Sequence, residues 1–332
     1  MGLLVTGILL TYDCEKFVAQ ALRAALEQQC EPMQLIVSDD ASTDATFAIL
    51  RREIASYRGE HKVELRQRDV NSGSKSAHLN DVLRFASGEI ITFFDGDDVS
   101  KPLRVRKVVE KFDDPVIHAV YSAYSLIDES GRHIGRGDVP FPRGALSSKE
   151  WFAPVGAYAS GGALAIRRAV YASFGDIDPI LHEDVVLPFR ASLLGEVAYI
   201  EEELVRARRH QSLTQNYRDF ANLDSYRVRH RFGVDQAHLK CNSRFADIAK
   251  AEQLFPERID EFRDLRDIVR RSVIDAEASL GLVSGSLGAR ISALLRLVRS
   301  PNYRDKLTRD VFLALTPKNY LRYKRFKLRG LR

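Results

Sequence analysis

Cysteine is scarce in this sequence of 332 residues: Cys14, Cys30 and Cys241 are odd in number, widely scattered and without metal-ligand spacing. That excludes a disulfide framework and a cysteine-based zinc site, and predicts reduced thiols without a chemical role. Long apolar runs are also missing, with nothing approaching the roughly 20 residues of a bilayer-spanning helix. The opening Met-Gly-Leu-Leu-Val-Thr-Gly-Ile-Leu-Leu lacks a basic n-region and runs at once into Asp13, Glu15 and Lys16. It reads as a first core strand, not a signal peptide, so the cytoplasm is the expected location. A composition of 45% hydrophobic and 29% charged residues excludes a disordered chain. The length allows one large α/β domain with an appendage, or two modest domains.

Acidic excess is missing overall but not locally. The net charge is +5, yet residues 288–332 hold thirteen Lys and Arg against Asp305 and Asp310, which leaves the first 287 residues at −6. A nucleic-acid-binding protein would carry basic and aromatic residues on its folded domain. Here the positive charge gathers at the C-terminal end, so no nucleic-acid partner is expected.

What the sequence does have is an acidic punctuation of apolar runs. Residues 90–94, Ile-Ile-Thr-Phe-Phe, form an uncharged β-branched and aromatic stretch suited to a strand covered on both faces. It stops at Asp95-Gly96-Asp97-Asp98. Carboxylates this close resist joint ionisation unless a cation or a set of donors neutralises them. With no Cys or His alongside, oxygen ligands favour Mg2+ or Mn2+, ions that commonly bind one or two carboxylates together with substrate phosphates. A solvated Asp-Gly turn is the plain alternative.

The first hundred residues alternate. Strands are expected at 3–11, 34–38, 62–68 and 89–94, and helices at 17–28, 45–54 and 78–86. Ser42 or Thr43 is expected to cap the second helix, and Gly88 to take the left-handed position after the third. This β-α-β-α-β-α-β order predicts a mostly parallel, Rossmann-like sheet flanked by helices, with ligands outside the carboxyl ends of its strands. Tyr12-Asp13, Asp39-Asp40 and the Asp95–Asp98 turn all follow strands and would crowd one rim.

The ordered set Thr11-Tyr12-Asp13, Val37-Ser38-Asp39-Asp40-Ala41-Ser42-Thr43-Asp44, Asn71-Ser72-Gly73, Gly88-Glu89-Ile90, and Phe94-Asp95-Gly96-Asp97-Asp98 with Pro102 resembles the family 2 glycosyltransferases. The resemblance reaches to about residue 215. It implies a GT-A fold, a nucleotide-sugar donor and inversion at the anomeric carbon. It also implies that Thr11 and Tyr12, with Asp13, border the nucleobase, that Asp40 contacts the base, and that Asp95 reaches the ribose or the metal. Asp97 becomes the principal metal ligand with Asp98 assisting. Asp13 stands where Asn is more usual in the family. Lys75-Ser76-Ala77-His78 departs from its commoner Ala-Ala-Arg-Asn run, so Lys75 is expected to be a solvated loop residue.

In the second half, strands are expected at 116–127 and 196–205, and after the first the Gly-, Pro- and Arg-rich residues 132–144 read as an irregular segment. Trp151 is expected to pack half-buried. Tyr158-Ala159-Ser160-Gly161-Gly162 leads into another strand, and the resemblance places this glycine pair near the acceptor and the donor sugar. His182-Glu183-Asp184 opens a helix, where the resemblance implies a general base: Asp184, with Glu183 as the alternative. Arg208, Arg209 and His210 follow a strand and are expected as an anion site, the arginines on a diphosphate and His210 on metal or diphosphate.

Beyond that point the periodicity predicts a helical extension, with helices near 217–250, 257–282, 287–299 and 302–315, so the expected division is 1–215, with halves of about 1–100 and 101–215, and 216–332. Leu287, Ile291, Leu294, Leu295 and Val298 make an apolar stripe beside Arg290, Arg296 and Arg299. The tail from Pro317 alternates basic with apolar residues, which suits peripheral contact with an anionic membrane surface, an oligomer contact being the alternative.

The function expected is a metal-assisted transfer of a single sugar, from a UDP-sugar for preference, to a hydroxyl of a glycan or lipid-linked acceptor. Processive synthases of the family carry membrane spans and a Gln-x-x-Arg-Trp motif, both missing here. Sugar nucleotidyltransfer, the other enzyme class considered, would want a Gly-rich phosphate loop that residues 3–13 do not offer.

Overall fold

The computed structural model describes residues 3–137, 145–146, 161–209, 223–282 and 286–298. Trp151, residues 158–160, His210, the helix expected at 302–315 and the basic tail lie outside the described residues. The chain divides into two compact units, Met1–His210 and Gln211–Arg332.

The first unit is built on one sheet. β1 (Val5–Thr11), β2 (Gln34–Asp39), β3 (Lys62–Gln67) and β4 (Ile90–Asp95) run parallel in the order β3-β2-β1-β4. Every residue of β1 is buried, as is all of β4 but Asp95, which is why both read as unbroken apolar runs. α1 (Val18–Leu26) buries Val18, Ala21, Leu22, Ala25 and Leu26 at helical spacing. α2 (Thr46–Ser56) and α3 (Lys75–Leu83) complete the alternation. Leu9, Leu22, Val37, Leu50 and Phe94 share one core cluster with Val105 and Val108 of α4 (Arg104–Val109).

Beyond β4 the sheet is mixed, not mostly parallel. The path continues through β9 (Leu164–Arg167), β6 (Ile117–Ile127), β10 (Glu196–Arg208) and β5 (Val99–Ser100). β9 lies antiparallel to both β4 and β6, whereas β6 and β10 pair in parallel. β7 (His133–Arg136) and β8 (Ala145–Leu146) flank this half, on β6 and β10. Two further helices, α5 (Arg168–Phe174) and α6 (Glu183–Leu194), separate β9 from β10.

Three local expectations need correcting. Ser42 and Thr43 do not cap α2: Ser42 bonds Asp39, Thr43 bonds Asp13, and Asp44 Oδ1 instead accepts from Thr46 N at 2.9 Å. α3 starts three residues earlier than its apolar pattern suggested, because Ser74 caps it by accepting from Ala77 N at 3.1 Å. Gly88 is not left-handed; a Cβ there would lie 2.5 Å from Thr6 N and 2.7 Å from Val5 C, so glycine lets the chain pass close over β1.

The second unit, as described, is helical. α7 (Leu223–Leu254) and α8 (Ile259–Gly281) are separated by a turn at Pro256–Arg258. α8 buries Phe262, Leu265, Val269 and Val273, and Arg266 holds Glu252 in a two-point ion pair at 3.0 and 2.8 Å. α9 (Leu287–Val298) buries Ala293 and Leu297, whereas Leu287, Ile291 and Leu295 of the expected stripe are exposed and Leu294 is half-buried. No helix among the described residues is long and apolar enough to cross a membrane.

Candidate active site

Parallel pairing of β1, β2 and β4 brings their carboxyl ends to one rim. Asp39 is the organiser there. It is fully buried, accepts from Thr11 Oγ1 at 3.1 Å and Ser42 N at 3.0 Å, and is reached by Gln67. Thr11 therefore points into the fold, and of the expected nucleobase pair Tyr12, 50% exposed, is the one that faces outward. Asp13 accepts from Thr43 N at 2.7 Å and joins the two loops. Asp13 and Ala41 have φ of 42° and 59°, a left-handed conformation that is uncommon for non-glycine residues and concentrates at ligand sites. Asp40 is buried and held by Ser72 N at 2.9 Å, Ser72 Oγ at 2.7 Å and Arg68 Nε at 3.2 Å.

The acidic turn closes the same rim. Gly96 N bonds Leu10 O at 3.1 Å and ties the turn to β1. Asp98 Oδ1 accepts from Arg208 N at 2.8 Å. Burial, with Asp97 and Asp95 nearby, raises the Asp98 pKa well above the usual carboxylate range. Beneath the turn lies Arg104, fully buried, bonded to Ser100 Oγ at 3.0 Å and Thr92 Oγ1 at 3.1 Å and stacked 4.9 Å from the Phe94 ring. Burial lowers its pKa to about 10 while Asp95 and Asp98 oppose that fall. The sequence signal for it was available: a charge on the same helical face as Val105 and Val108.

Arg208 does not reach into open space as a diphosphate ligand would. Its guanidinium donates to Asp97 O, Asp128 O and Glu129 O, each at 2.9 Å, and to Gln20 Oε1 at 2.6 Å, and it lies 4.7 Å over the Phe17 ring. Four of its five N–H groups are thus committed, tying the acidic turn to the Asp128–Glu129 turn and to Gln20 of α1. Arg209 is exposed at the end of β10.

Lys75 is not a loop residue, although its side chain stays 38% exposed. It opens α3, and its ammonium sits 2.5 Å from Asp95 Oδ1 and 2.7 Å from Glu183 Oε1. Burial works against its charge, but the two carboxylates prevail and hold its pKa well above the ordinary lysine value. Glu183 and Asp184 begin α6, where negative charge suits the helix dipole. Tyr121 Oη, from β6, bonds Asp184 O at 3.2 Å. The glycine pair borders all of this: a Cβ on Gly161 would collide with Glu183 Oε1, and one on Gly162 would lie 3.0 Å from Asp95 Oδ2 and 3.1 Å from Asp98 Oδ2.

Among the described residues no three His, Cys, Asp or Glu side chains are grouped to hold a metal ion by themselves. The donor set still fits a hard divalent cation that completes its shell with phosphate and water. Asp98, pushed toward its protonated form by burial and by its acidic neighbours, is the group such a cation would relieve. A separate cavity of about 250 Å³, lined in part by Arg66, Arg68, His78, Asp81 and Phe85, lies between α3 and the edge strand β3. Arg68 there is paired with Asp40 and Asp81, and Arg66 stacks 3.6 Å over Phe85, so this space reads as packing away from the acidic rim.

Residues 7–174 match the family model described as Glycosyl transferase family 2. The chain belongs to the family 2 glycosyltransferases. It is 37% identical over 105 residues to the putative glycosyltransferase EpsE of Bacillus subtilis, a stretch covering 32% of this chain and 37% of that protein. The chain spans between about a third and two thirds of the length of curated relatives such as this one. Among solved structures, S. aureus TarS 1–349 in complex with UDP-GlcNAc aligns with a TM-score of 0.55 at 15% identity, over 98% of this chain and 92% of that one. A mannosyltransferase from Pyrobaculum calidifontis, in complex with GDP-Man and Mn2+, gives 0.51 at 19%, over 96% and 88%. At these identities the likeness carries the fold alone. For this family 2 glycosyltransferase it meets the expected GT-A architecture, with its curled sheet, flanking helices and helical C-terminal region.

Proposed function

We propose that this family 2 glycosyltransferase transfers one sugar, with inversion, from a nucleotide-sugar donor, a UDP-sugar for preference, to a hydroxyl of a glycan or lipid-linked acceptor in surface polysaccharide synthesis. The observation that carries the reading is the meeting of the Asp95–Asp98 turn and the start of α6 around the glycine pair Gly161–Gly162, at the rim where β2 also delivers Asp40. Tyr12, Asp13 and Asp40 line the nucleoside side, with Thr11 behind them, and Asp95 takes the ribose side. Asp97 and Asp98 would hold Mn2+ or Mg2+, joined in the family's pattern by His210, and Arg209 would face the diphosphate. When bound, the ion offsets charge on the departing nucleoside diphosphate.

Asp184 removes the proton of the attacking hydroxyl, on the face opposite the leaving group. Glu183 is the weaker choice of base because its carboxylate is already committed to the Lys75 ammonium. Contact with an anionic membrane surface is proposed for the basic C-terminal region, supported by the exposed Leu287, Ile291 and Leu295 of α9 beside Arg296. Incubating the protein with a panel of nucleotide sugars and Mn2+ tests the reading. One donor should raise the melting temperature and release its nucleoside diphosphate as its sugar passes slowly to water, and Asp97→Ala should abolish both effects. A wild-type chain that binds no member of the panel contradicts it.

A further inference from the structure

The two sides of the proposed site come from distant parts of the chain, yet α3 joins them rung by rung. Arg84 Nη2 meets Asp176 Oδ2 at 2.9 Å, Asn80 exchanges two bonds with the backbone of Ile177 at 2.7 and 2.8 Å, and Ser76 Oγ donates to Leu181 O at 2.5 Å. The last rung is Lys75, on Glu183 at 2.7 Å. At this same N-terminal end, α3 follows on Ser72 and Ser74, which hold Asp40 and cap the helix. The start of one helix therefore touches both the proposed nucleoside loop and the first turn of α6.

Lys75 is the rung that local structure does not explain. A cation in the first turn of a helix opposes the dipole. Its ammonium is nevertheless held between two carboxylates, on Asp95 at the end of β4 and Glu183 at the start of α6. The Glu183 side chain is only 4% exposed, and a carboxylate so buried needs a partner charge. Gly161 makes room for the pair, since a Cβ there would strike Glu183 Oε1 and lie 3.0 Å from Lys75 Nζ.

We propose that Lys75 is a positioning residue for the transfer reaction: its ammonium locks Glu183, and with it the first turn of α6, to the Asp95 end of the donor strand. The base at Asp184, one residue along, is thereby fixed in relation to the donor. This rests on the transferase reading for its catalytic consequence, though the lock itself is a property of the fold.

The test is a double-mutant cycle with Lys75→Met, Glu183→Gln and both together. The three other rungs stay in place, so each variant should fold. Lys75→Met strands a buried carboxylate and should lower the melting temperature by about 10 °C. The double variant should recover to within about 3 °C of Glu183→Gln alone, since the buried Glu183 charge is then gone and Asp95, 19% exposed, still reaches water. With whichever nucleotide sugar the wild type turns over, Lys75→Met should keep the donor KM within about threefold while kcat falls roughly a hundredfold, and Glu183→Gln should not deepen that fall. Additive losses of melting temperature, or an unchanged kcat, overturn the proposal. If the wild type turns over no donor, the transferase reading fails and the melting cycle alone decides the lock.

Discussion

Replacing Arg208 with methionine separates two incompatible roles for that side chain. As a brace, its guanidinium satisfies three backbone carbonyls and Gln20 Oε1 and packs on Phe17. Methionine keeps much of the stem packing but leaves four acceptors without a donor. At about 1 kcal/mol for each net hydrogen bond, the loss is roughly 4 kcal/mol. For a cooperative unit near 200 residues each kcal/mol moves the melting temperature by about 2–4 °C, so a fall of about 8–16 °C is expected without any ligand. Calorimetry on the wild type and Arg208→Met, with and without UDP and Mn2+, reads both quantities. The loosened Asp97–Asp98 turn should also weaken the Mn2+-dependent gain. A variant with the parental melting temperature that has lost UDP binding would refute the brace and restore a direct diphosphate contact.

Three other outcomes follow from the same geometry. Asp184→Asn should leave Mn2+-dependent donor binding intact while transfer falls by about 10²–10⁴, as read by isothermal titration beside a transfer assay. Gly88→Ala forces a methyl to 2.5 Å from Thr6 N and should cost about 3 kcal/mol in denaturant unfolding, without changing donor affinity per folded molecule. Because the Asp98 pKa is raised, its carboxyl favours the metal-free fold at low pH, and that contribution is lost as pH rises through its folded value. With Asp95, Asp97, Lys75 and Arg208 around it, metal must displace that proton. The Mn2+-induced rise in melting temperature should therefore grow with pH above the ordinary carboxylate range, and a rise independent of pH between 4 and about 8 would contradict this.

The part of the fold that was legible in the sequence is the part where burial writes a pattern. β1, β2 and β4 are covered on both faces and read as apolar runs ending in acids, which placed Asp39, Asp40 and Asp95 at strand ends. β9 was expected as a strand, but four residues carry no sign of direction, so its antiparallel insertion between β4 and β6 was not legible. The site's cations were harder still. Lys75 and Arg208 owe their roles to partners as far as 108 and 188 residues away in the chain, Glu183 for the one and Gln20 for the other, and no local spacing encodes such pairs. Arg104 differed in leaving a local signal, a charge on an otherwise apolar helix face. The exposed Leu287, Ile291 and Leu295 of α9 show that amphipathicity tells which residues share a face without telling which way that face points.

The central claim is that acids from separate strands share one cation with a donor diphosphate at this rim. Anomalous diffraction from crystals grown with UDP and Mn2+ tests it most directly. The account predicts a manganese peak within bonding distance of Asp97 or Asp98 and of the diphosphate oxygens, with the uracil beside Tyr12 and Asp40. A nucleotide bound elsewhere, or manganese bound away from the Asp95–Asp98 turn, would contradict it.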